Sequence, residues 1–270
     1  MIDLVLVGIG TGNPEHLTLE ASRQIREADL ILVPLKGGER ASLAAIRKRI
    51  IANETADDPV GIRSDDHASP KVVDFLLPDR DPAIDDYRQR VNQWHSNITS
   101  VWETTIREHV ALDSPARVIL LIWGDPSLYD SSLRIAEQLK ERLPITITVI
   151  PGITAMQALC AAHAIPLNTL ANPVVITTGR KLAKEGWPDG IDTIVVMLDG
   201  DCAFRTVTVQ NVHIWWGAYV AMKEQILISG PLQTVAEEIA DARCRAREEQ
   251  GWIMDIYLLR RSISSFDPVR

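Results

Sequence analysis

Three times in its N-terminal part the chain runs through a strand pattern, apolar at every position in the first two, turns sharply, and goes on into a helical pattern. Residues 4–7 (Leu-Val-Leu-Val) lead into a turn holding Gly8, Gly10 and Gly12. Residues 118–123 lead into Gly124-Asp125-Pro126-Ser127, and residues 146–150 into Pro151-Gly152-Ile153-Thr154. A strand that is apolar at every position has to be buried on both faces, so strands of this kind alternating with helices imply a mainly parallel sheet covered by helices. Ligands of such sheets bind beyond the C-terminal strand ends, which is where all three turns fall.

The rest of the chain arranges itself around this frame. Residues 19–28 read as a helix with Thr18 as N-cap and Ala21, Ile25 and Ala28 on one face, followed by a strand at 30–33 and a helix at 42–51. Residues 52–81 are acidic, rich in Pro and Asp, and read as an irregular surface excursion. From 85 to 110 the apolar positions Val91, Trp94, Ile98, Val101, Trp102 and Ile106 recur at helical spacing, a core-facing stripe. Helices are also expected at 128–139 and 155–163. After Ile165-Pro166 the character changes to short strands at 173–177, 191–197, 212–216, 224–228 and 252–259, with one helix at 234–247. The expected fold class is therefore α/β with two domains. Residues 1–151 form a mainly parallel N-terminal sheet with a helical excursion at about 52–115, and residues 152–270 form an α+β domain with a mixed sheet.

Composition narrows the function. A chain of 270 residues, 46% hydrophobic, is long enough to bury a sizeable core. A formal net charge of -8 argues against nucleic acid or an anionic membrane as partner. No apolar run approaches the ~20 residues that span a bilayer, and the N-terminus lacks the basic region of a signal peptide. Cys160, Cys202 and Cys244 are too few and too scattered for a zinc module or a disulfide framework. The expectation is a cytoplasmic protein without metal.

The glycine turn does not suit a dinucleotide. The third glycine comes one residue early for G-x-G-x-x-G, and Asn13-Pro14 stands where the helix should open against a pyrophosphate. After the second strand comes Val33-Pro34-Leu35-Lys36, with no acid to hold a ribose. On spacing alone the turn is either a cofactor contact or a tight strand-to-helix connection. Gly124-Asp125-Pro126 is equally open, since Asp is a good N-cap and Pro fits the first helical position.

Taken in order, the glycine turn with Pro14-Glu15-His16-Leu17-Thr18, then Gly124-Asp125-Pro126, Pro151-Gly152-Ile153-Thr154 and Val195-Val196-Met197 resemble the tetrapyrrole methylases over nearly the whole chain. That resemblance implies a two-domain fold binding S-adenosyl-L-methionine between the domains, with S-adenosyl-L-homocysteine as product, a tetrapyrrole substrate, and a homodimer. It implies cofactor contacts at Thr11, at Gly124, Asp125, Pro126 and Tyr129, at Thr154 and Ala155, at Met197, and at Gly217 and Ala218. Asp125 is read as fixing its turn rather than as an acid. "PDRDPAIDDYRQRVNQWHSNI" (78–98), "TTGRKL" (177–182) and "IWWGAY" (214–219) resemble one subgroup, which methylates a precorrin and releases an acetyl group as acetate. The chain departs from the uroporphyrinogen methylases at two places. It has Val33-Pro34-Leu35 where they carry an Asp after the second strand, and Leu121-Ile122-Trp123 where they carry a basic residue before Gly-Asp-Pro.

Methyl transfer from a sulfonium needs alignment and a desolvated pocket, and no protein nucleophile. Loss of an acetyl group needs a base for water and stabilisation of an oxyanion. Candidates are His95, Asp81 and Arg80; alternatively His95 packs beside Trp94, and Asp81 and Arg80 form a surface ion pair. Substrate carboxylates call for cations, and Lys36, Arg40, Arg180 and Lys181 lie in loops after strands, where each could equally be solvated charge. The rival readings are a dehydrogenase, another methyltransferase of the same fold with a different precorrin or a macromolecular substrate, and a non-catalytic module that only binds the cofactor.

Overall fold

The computed structural model of the chain describes residues 1–35, 41–56 and 69–261. It divides into two compact units, Met1–Thr154 and Ala155–Arg270.

The first unit is built on five parallel strands, β1 (Ile2–Gly8), β2 (Leu30–Leu35), β3 (Lys71–Leu76), β4 (Ala116–Ile122) and β5 (Ile145–Ile150), in the order β3-β2-β4-β1-β5. Alternation along the strands sorts their side chains to two faces. Ile2, Leu4, Leu6, Leu30, Leu32, Val118, Leu120 and Ile122 pack with Ile98, Trp102 and Ile106 of helix α3 (Tyr87–His109) and Ile135, Ala136 and Leu139 of α4 (Ser132–Lys140). Val5, Val7, Ile31, Val33, Ile119 and Leu121 pack on the other face with Ala21 and Ile25 of α1 (Leu19–Arg26) and Ala44, Ile50 and Ile51 of α2 (Ala41–Ala56). Each such side chain contributes about 1.5–3 kcal/mol by leaving water, which is why unbroken apolar strands are held at the centre of the sheet.

Local signals set the helix ends. Thr18 Oγ1 accepts from the N–H of Ala21 at 3.0 Å, and Asp86 Oδ1 accepts from that of Gln89 at 2.7 Å. The expectation for 52–81 is corrected: α2 runs on to Ala56, and Lys71–Leu76 is the edge strand β3, parallel to β2. Only Phe75 of β3 is fully buried, so the strand lacks the apolar run that marks its neighbours. The helix expected from 128 starts at Ser132, because Asp130 Oδ1 takes the N–H of Ser132 at 2.6 Å. The buried face of α3 is His95, Ile98, Thr99, Trp102, Thr105 and Ile106, turned from the stripe expected; Val91, Trp94 and Val101 are only half-buried. Thr99 and Thr105 can be buried because their hydroxyls donate to the carbonyls of His95 and Val101 on their own helix.

The second unit carries β6 (Val174–Thr178), β7 (Thr193–Met197), β8 (Val212–Ala218), β9 (Ile226–Pro231) and β10 (Asp255–Arg261) in the order β6-β7-β10-β8-β9, with α5 (Ala155–His163), α6 (Gly179–Glu185) and α7 (Leu232–Gln250). Only β6 and β7 pair in parallel; β10 is antiparallel to both of its neighbours. Helix α6 was not foreseen: it occupies residues 179–185, capped by Thr178. The loop after β7 is tied down by buried Asp199. Its carboxylate accepts from the N–H groups of Asp201 (3.0 Å) and Ala203 (2.7 Å) and from the Tyr257 hydroxyl (2.6 Å). Burial and Asp199 push the Tyr257 hydroxyl far above its ordinary pKa, so it stays a donor. Among the described residues no helix is long and apolar enough to cross a membrane.

Tyr257→Phe leaves Asp199 one donor short in a buried place, which should cost about 1–3 kcal/mol. Urea denaturation measures this; an unchanged midpoint would remove Tyr257 from the support of the β7 loop.

Candidate functional site

Strands β4, β1 and β5 are neighbours, so the turns after them leave the sheet side by side. Backbone bonds join the first two turns: Ile9 N–H to Ile122 O at 2.9 Å, Gly10 N–H to Gly124 O at 3.3 Å, and Gly124 N–H to Gly10 O at 2.7 Å. The third turn touches them directly. A Cβ on Gly152 would stand 2.1 Å from Gly124 O, and a Cβ on Gly8 would stand 2.6 Å from Gly152 N. No side chain fits at either place. Gly124 favours glycine for a different reason, its φ of 61°.

Asp125 holds the arrangement. Its Oδ2 accepts from the Gly152 N–H at 2.9 Å, reaching across to the β5 turn, while Oδ1 accepts from the Ser127 N–H at 2.8 Å and from the Ser127 hydroxyl. Desolvation works against the carboxylate, but the bonds from Ser127 and Gly152 outweigh it and hold the pKa below the ordinary value. Asp125 is thus a charged staple at neutral pH.

Of the residues expected to contact a cofactor, Thr11, Gly124, Asp125, Pro126, Tyr129 and Thr154 all lie at this edge of the first unit. Thr11 and Thr154 are buried, and Thr11 Oγ1, His16 Nδ1 and Trp123 Nε1 are buried without a hydrogen-bond partner among the described residues. A Cβ on Gly124 would meet only Thr154 Cα, at 3.8 Å. Tyr129 is 44% exposed at a φ of 50°. Leu198 and Tyr219, in the loops after β7 and β8, are also left-handed. Such strain, about 1–2 kcal/mol per residue, persists where surrounding structure imposes it.

In the second unit, Val196 of β7 and Trp216 of β8 flank Tyr257 of β10 from its two sides. Met197, Gly217 and Ala218 therefore end at one edge of that sheet. Ala155 and Met197 pack against the same apolar cluster. Thr178 pairs with Met197, so Arg180 and Lys181 in the first turn of α6 start from this edge too. Both are exposed, and Lys181 Nζ lies 3.6 Å from Glu185 of the next turn. Lys36 and Arg40 lie outside the described residues.

His95 and Arg80 are brought together; Asp81 is turned elsewhere. Arg80 Cζ stands 4.5 Å from the centre of the Trp94 ring, whose Nε1 donates to Pro78 O at 2.8 Å, and the Trp94 and His95 rings are 5.5 Å apart. His95 is buried, with Nε2 unpartnered among the described residues. Burial first, then Arg134 and Arg80, lower its pKa against the pull of Asp130, so the ring is neutral at pH 7. Asp81 is exposed and spends Oδ1 on the N–H of Ala83 at 2.9 Å. Sequence reasoning missed Gly8 as a contact point, Gly152 as the partner of Asp125, and Asp130 as a carboxylate acting on His95 electrostatically. Only the Gly152 role had a signal, the glycine inside the third turn.

The profile of the tetrapyrrole (corrin/porphyrin) methylases matches residues 3–236. The chain belongs to the tetrapyrrole methylases. Among curated tetrapyrrole methylases, the precorrin-6A synthase [deacetylating] of Sinorhizobium sp is 40% identical over 269 residues, covering 99% of this chain and 98% of that one. A crystal structure of a cobalamin-synthesis-related protein from Corynebacterium diphtheriae superposes with a TM-score of 0.79 at 35% identity, covering 97% of this chain and 99% of the other. The uroporphyrin-III C-methyl transferase of Thermus thermophilus, solved with S-adenyl homocysteine, shares the tetrapyrrole-methylase fold at a TM-score of 0.56 and 19% identity, covering 96% of this chain and 97% of the other. The α/β class, with one parallel and one mixed sheet, is that of this family.

Gly152→Ala forces the β4 and β5 turns apart and should cost about 1–3 kcal/mol or more, read by urea denaturation. Asp125→Asn should lower Tm at pH 7. Because the folded pKa is depressed, the loss should be constant down to the ordinary carboxylate value of 3.8 and shrink below it. A loss that shrinks already between pH 7 and 5 would contradict the staple.

Proposed function

We propose that the chain is a deacetylating precorrin-6A synthase: an S-adenosylmethionine-dependent C-methyltransferase of cobalamin biosynthesis. It methylates precorrin-5 at C1 and releases acetate, giving precorrin-6A. The near full-length likeness to the Sinorhizobium enzyme carries this reading. The turn geometry supports it, because an unpartnered Thr11 hydroxyl and the room over Gly124 suit a ligand held mostly by backbone.

In the first unit, Thr11, Gly124, Asp125, Pro126, Tyr129 and Thr154 would hold S-adenosylmethionine; Ala155, Met197, Gly217 and Ala218 of the second unit are cofactor contacts by the family resemblance. When bound it supplies a methyl group on a sulfonium, electrophilic enough for a ring carbon to take without a protein nucleophile. The Asp125 staple keeps the turns rigid, and the apolar strand ends exclude water. Arg180 and Lys181 serve as cations for the substrate periphery.

Acetate release uses the other cluster. The neutral His95 ring, its Nε2 unpartnered among the described residues, would take a proton from water adding to the acetyl carbonyl while Arg80 offsets charge on the carbonyl oxygen. The adduct then breaks the bond between the acetyl carbon and the macrocycle, whose conjugated system takes the electron pair, and acetate leaves. Asp81 acts as a positioning residue, shaping the turn beside Arg80. The same reading includes a homodimer in the cytoplasm, and three free cysteines suit a reducing compartment.

The test is single-turnover incubation with precorrin-5 and methyl-labelled S-adenosylmethionine, following label and acetate together. Label in the tetrapyrrole with equal acetate is expected, and no label transfer would sink the reading. His95→Ala should slow acetate release more than methylation, and the acid limb of acetate release in the parent protein should lie below pH 6.5. Equal slowing of both steps, or of neither, would remove His95 from the chemistry.

A further inference from the structure

Arg47, on α2, differs from Arg26, Arg117, Arg243 and Arg260, which are half-buried like it but engaged. Arg26 is joined to Glu54, Arg117 to Glu27 and Arg243 to Asp255, while Arg260 donates to Thr193, Pro166 and Leu167. Arg47 makes one hydrogen bond among the described residues, from Nε to Leu121 O at 3.0 Å, and no salt bridge. That bond fixes the guanidinium at the C-terminal end of β4, with Cζ 5.2 Å from the centre of the Trp123 ring. Both terminal amino groups of the fork are left over. Burial lowers its pKa to about 10, against the pull of Asp130, so it stays a cation at neutral pH. Asp130 itself is engaged with the N–H of Ser132.

Trp123 adds an independent observation. Its Nε1–H is buried and has no partner among the described residues. Two elements, α2 and β4, thus bring a guanidinium fork and an indole N–H to the strand end that precedes Gly124-Asp125-Pro126. The fork and the indole N–H are all donors, and the indole N–H, buried and left unpaired, costs about 1–3 kcal/mol. The ligand that satisfies a planar cationic fork is a planar anion, bound through parallel N–H···O bonds.

We propose that Arg47, over the Trp123 ring, forms a carboxylate subsite beside the Gly124 turn. The proposal rests on the methyltransferase reading, which brings carboxylates from two sources: the periphery of the tetrapyrrole and the amino-acid end of the methyl donor.

The test compares the parent protein, Arg47→Gln and Arg47→Lys. It measures KM and kcat for precorrin-5, Kd for S-adenosylhomocysteine by calorimetry, and Tm. A KM raised at least tenfold in Arg47→Gln, with Kd and Tm unchanged, assigns the subsite to the tetrapyrrole. A Kd raised at least tenfold with Tm unchanged assigns it to the methyl donor. In Arg47→Lys, which keeps the charge and loses the fork, the affected constant should move in the same direction by a smaller factor; this variant decides if the glutamine form does not fold. Unchanged KM and Kd overturn the proposal. So does a fall of Tm with both affinities lost in the two variants alike, since Arg47 is then only a strut between α2 and β4. Absence of methyl transfer by the parent protein would be the separate failure of the methyltransferase reading.

Discussion

The Asp125 carboxylate reaches out of its own turn to the backbone N–H of Gly152, and the first unit's working edge depends on that reach. Three strands deliver three turns to one place, and turns are the part of a parallel sheet with no ladder to hold them. Side chains cannot fill the space between them, because Gly8, Gly124 and Gly152 are already in backbone contact. What remains is one acid with two oxygens, each oriented by N–H groups from a different turn. A charged acceptor suits the task, since bonds to an ionised group are about twice as strong as neutral ones.

The second unit solves a similar problem with the same chemistry. The loop after β7 leaves the strand through a left-handed Leu198 and returns through a left-handed Cys202. Asp199 between them is buried and accepts from two backbone N–H groups and a tyrosine hydroxyl, while its carbonyl takes a bond from Arg243. Gly179, which starts α6, lies so close that a Cβ there would stand 2.4 Å from the Asp199 carboxylate. In both units the conspicuous acids thus hold backbone in place.

Much of this was legible in residue order. The apolar runs of β1, β2 and β4 read directly, because strands inside the sheet are covered on both faces and carry few polar positions. Edge strand β3 was not legible: Lys71-Val72-Val73-Asp74-Phe75-Leu76 buries one side chain fully and sits in an acidic, proline-rich setting. Helix α6 is too short to show a period. His95, Thr99 and Thr105 hid the true buried face of α3, since they are polar residue types, although the two threonine hydroxyls are satisfied by carbonyls of their own helix. Asp125 was recognisable as a turn-fixing residue, while its partner across the sheet, at position 152, showed only as a glycine inside the third turn. Arg47 gave no signal: between Ile46 and Lys48 on an ordinary helix, it becomes conspicuous only beside Leu121 and Trp123.

The most direct measurement of the central claim is a calorimetric titration of the purified chain with S-adenosylhomocysteine, which is stable and needs no tetrapyrrole. The account predicts saturable binding near one per subunit, with no comparable binding of NAD. Absence of binding by S-adenosylhomocysteine at several temperatures, or saturable binding of NAD instead, would contradict it.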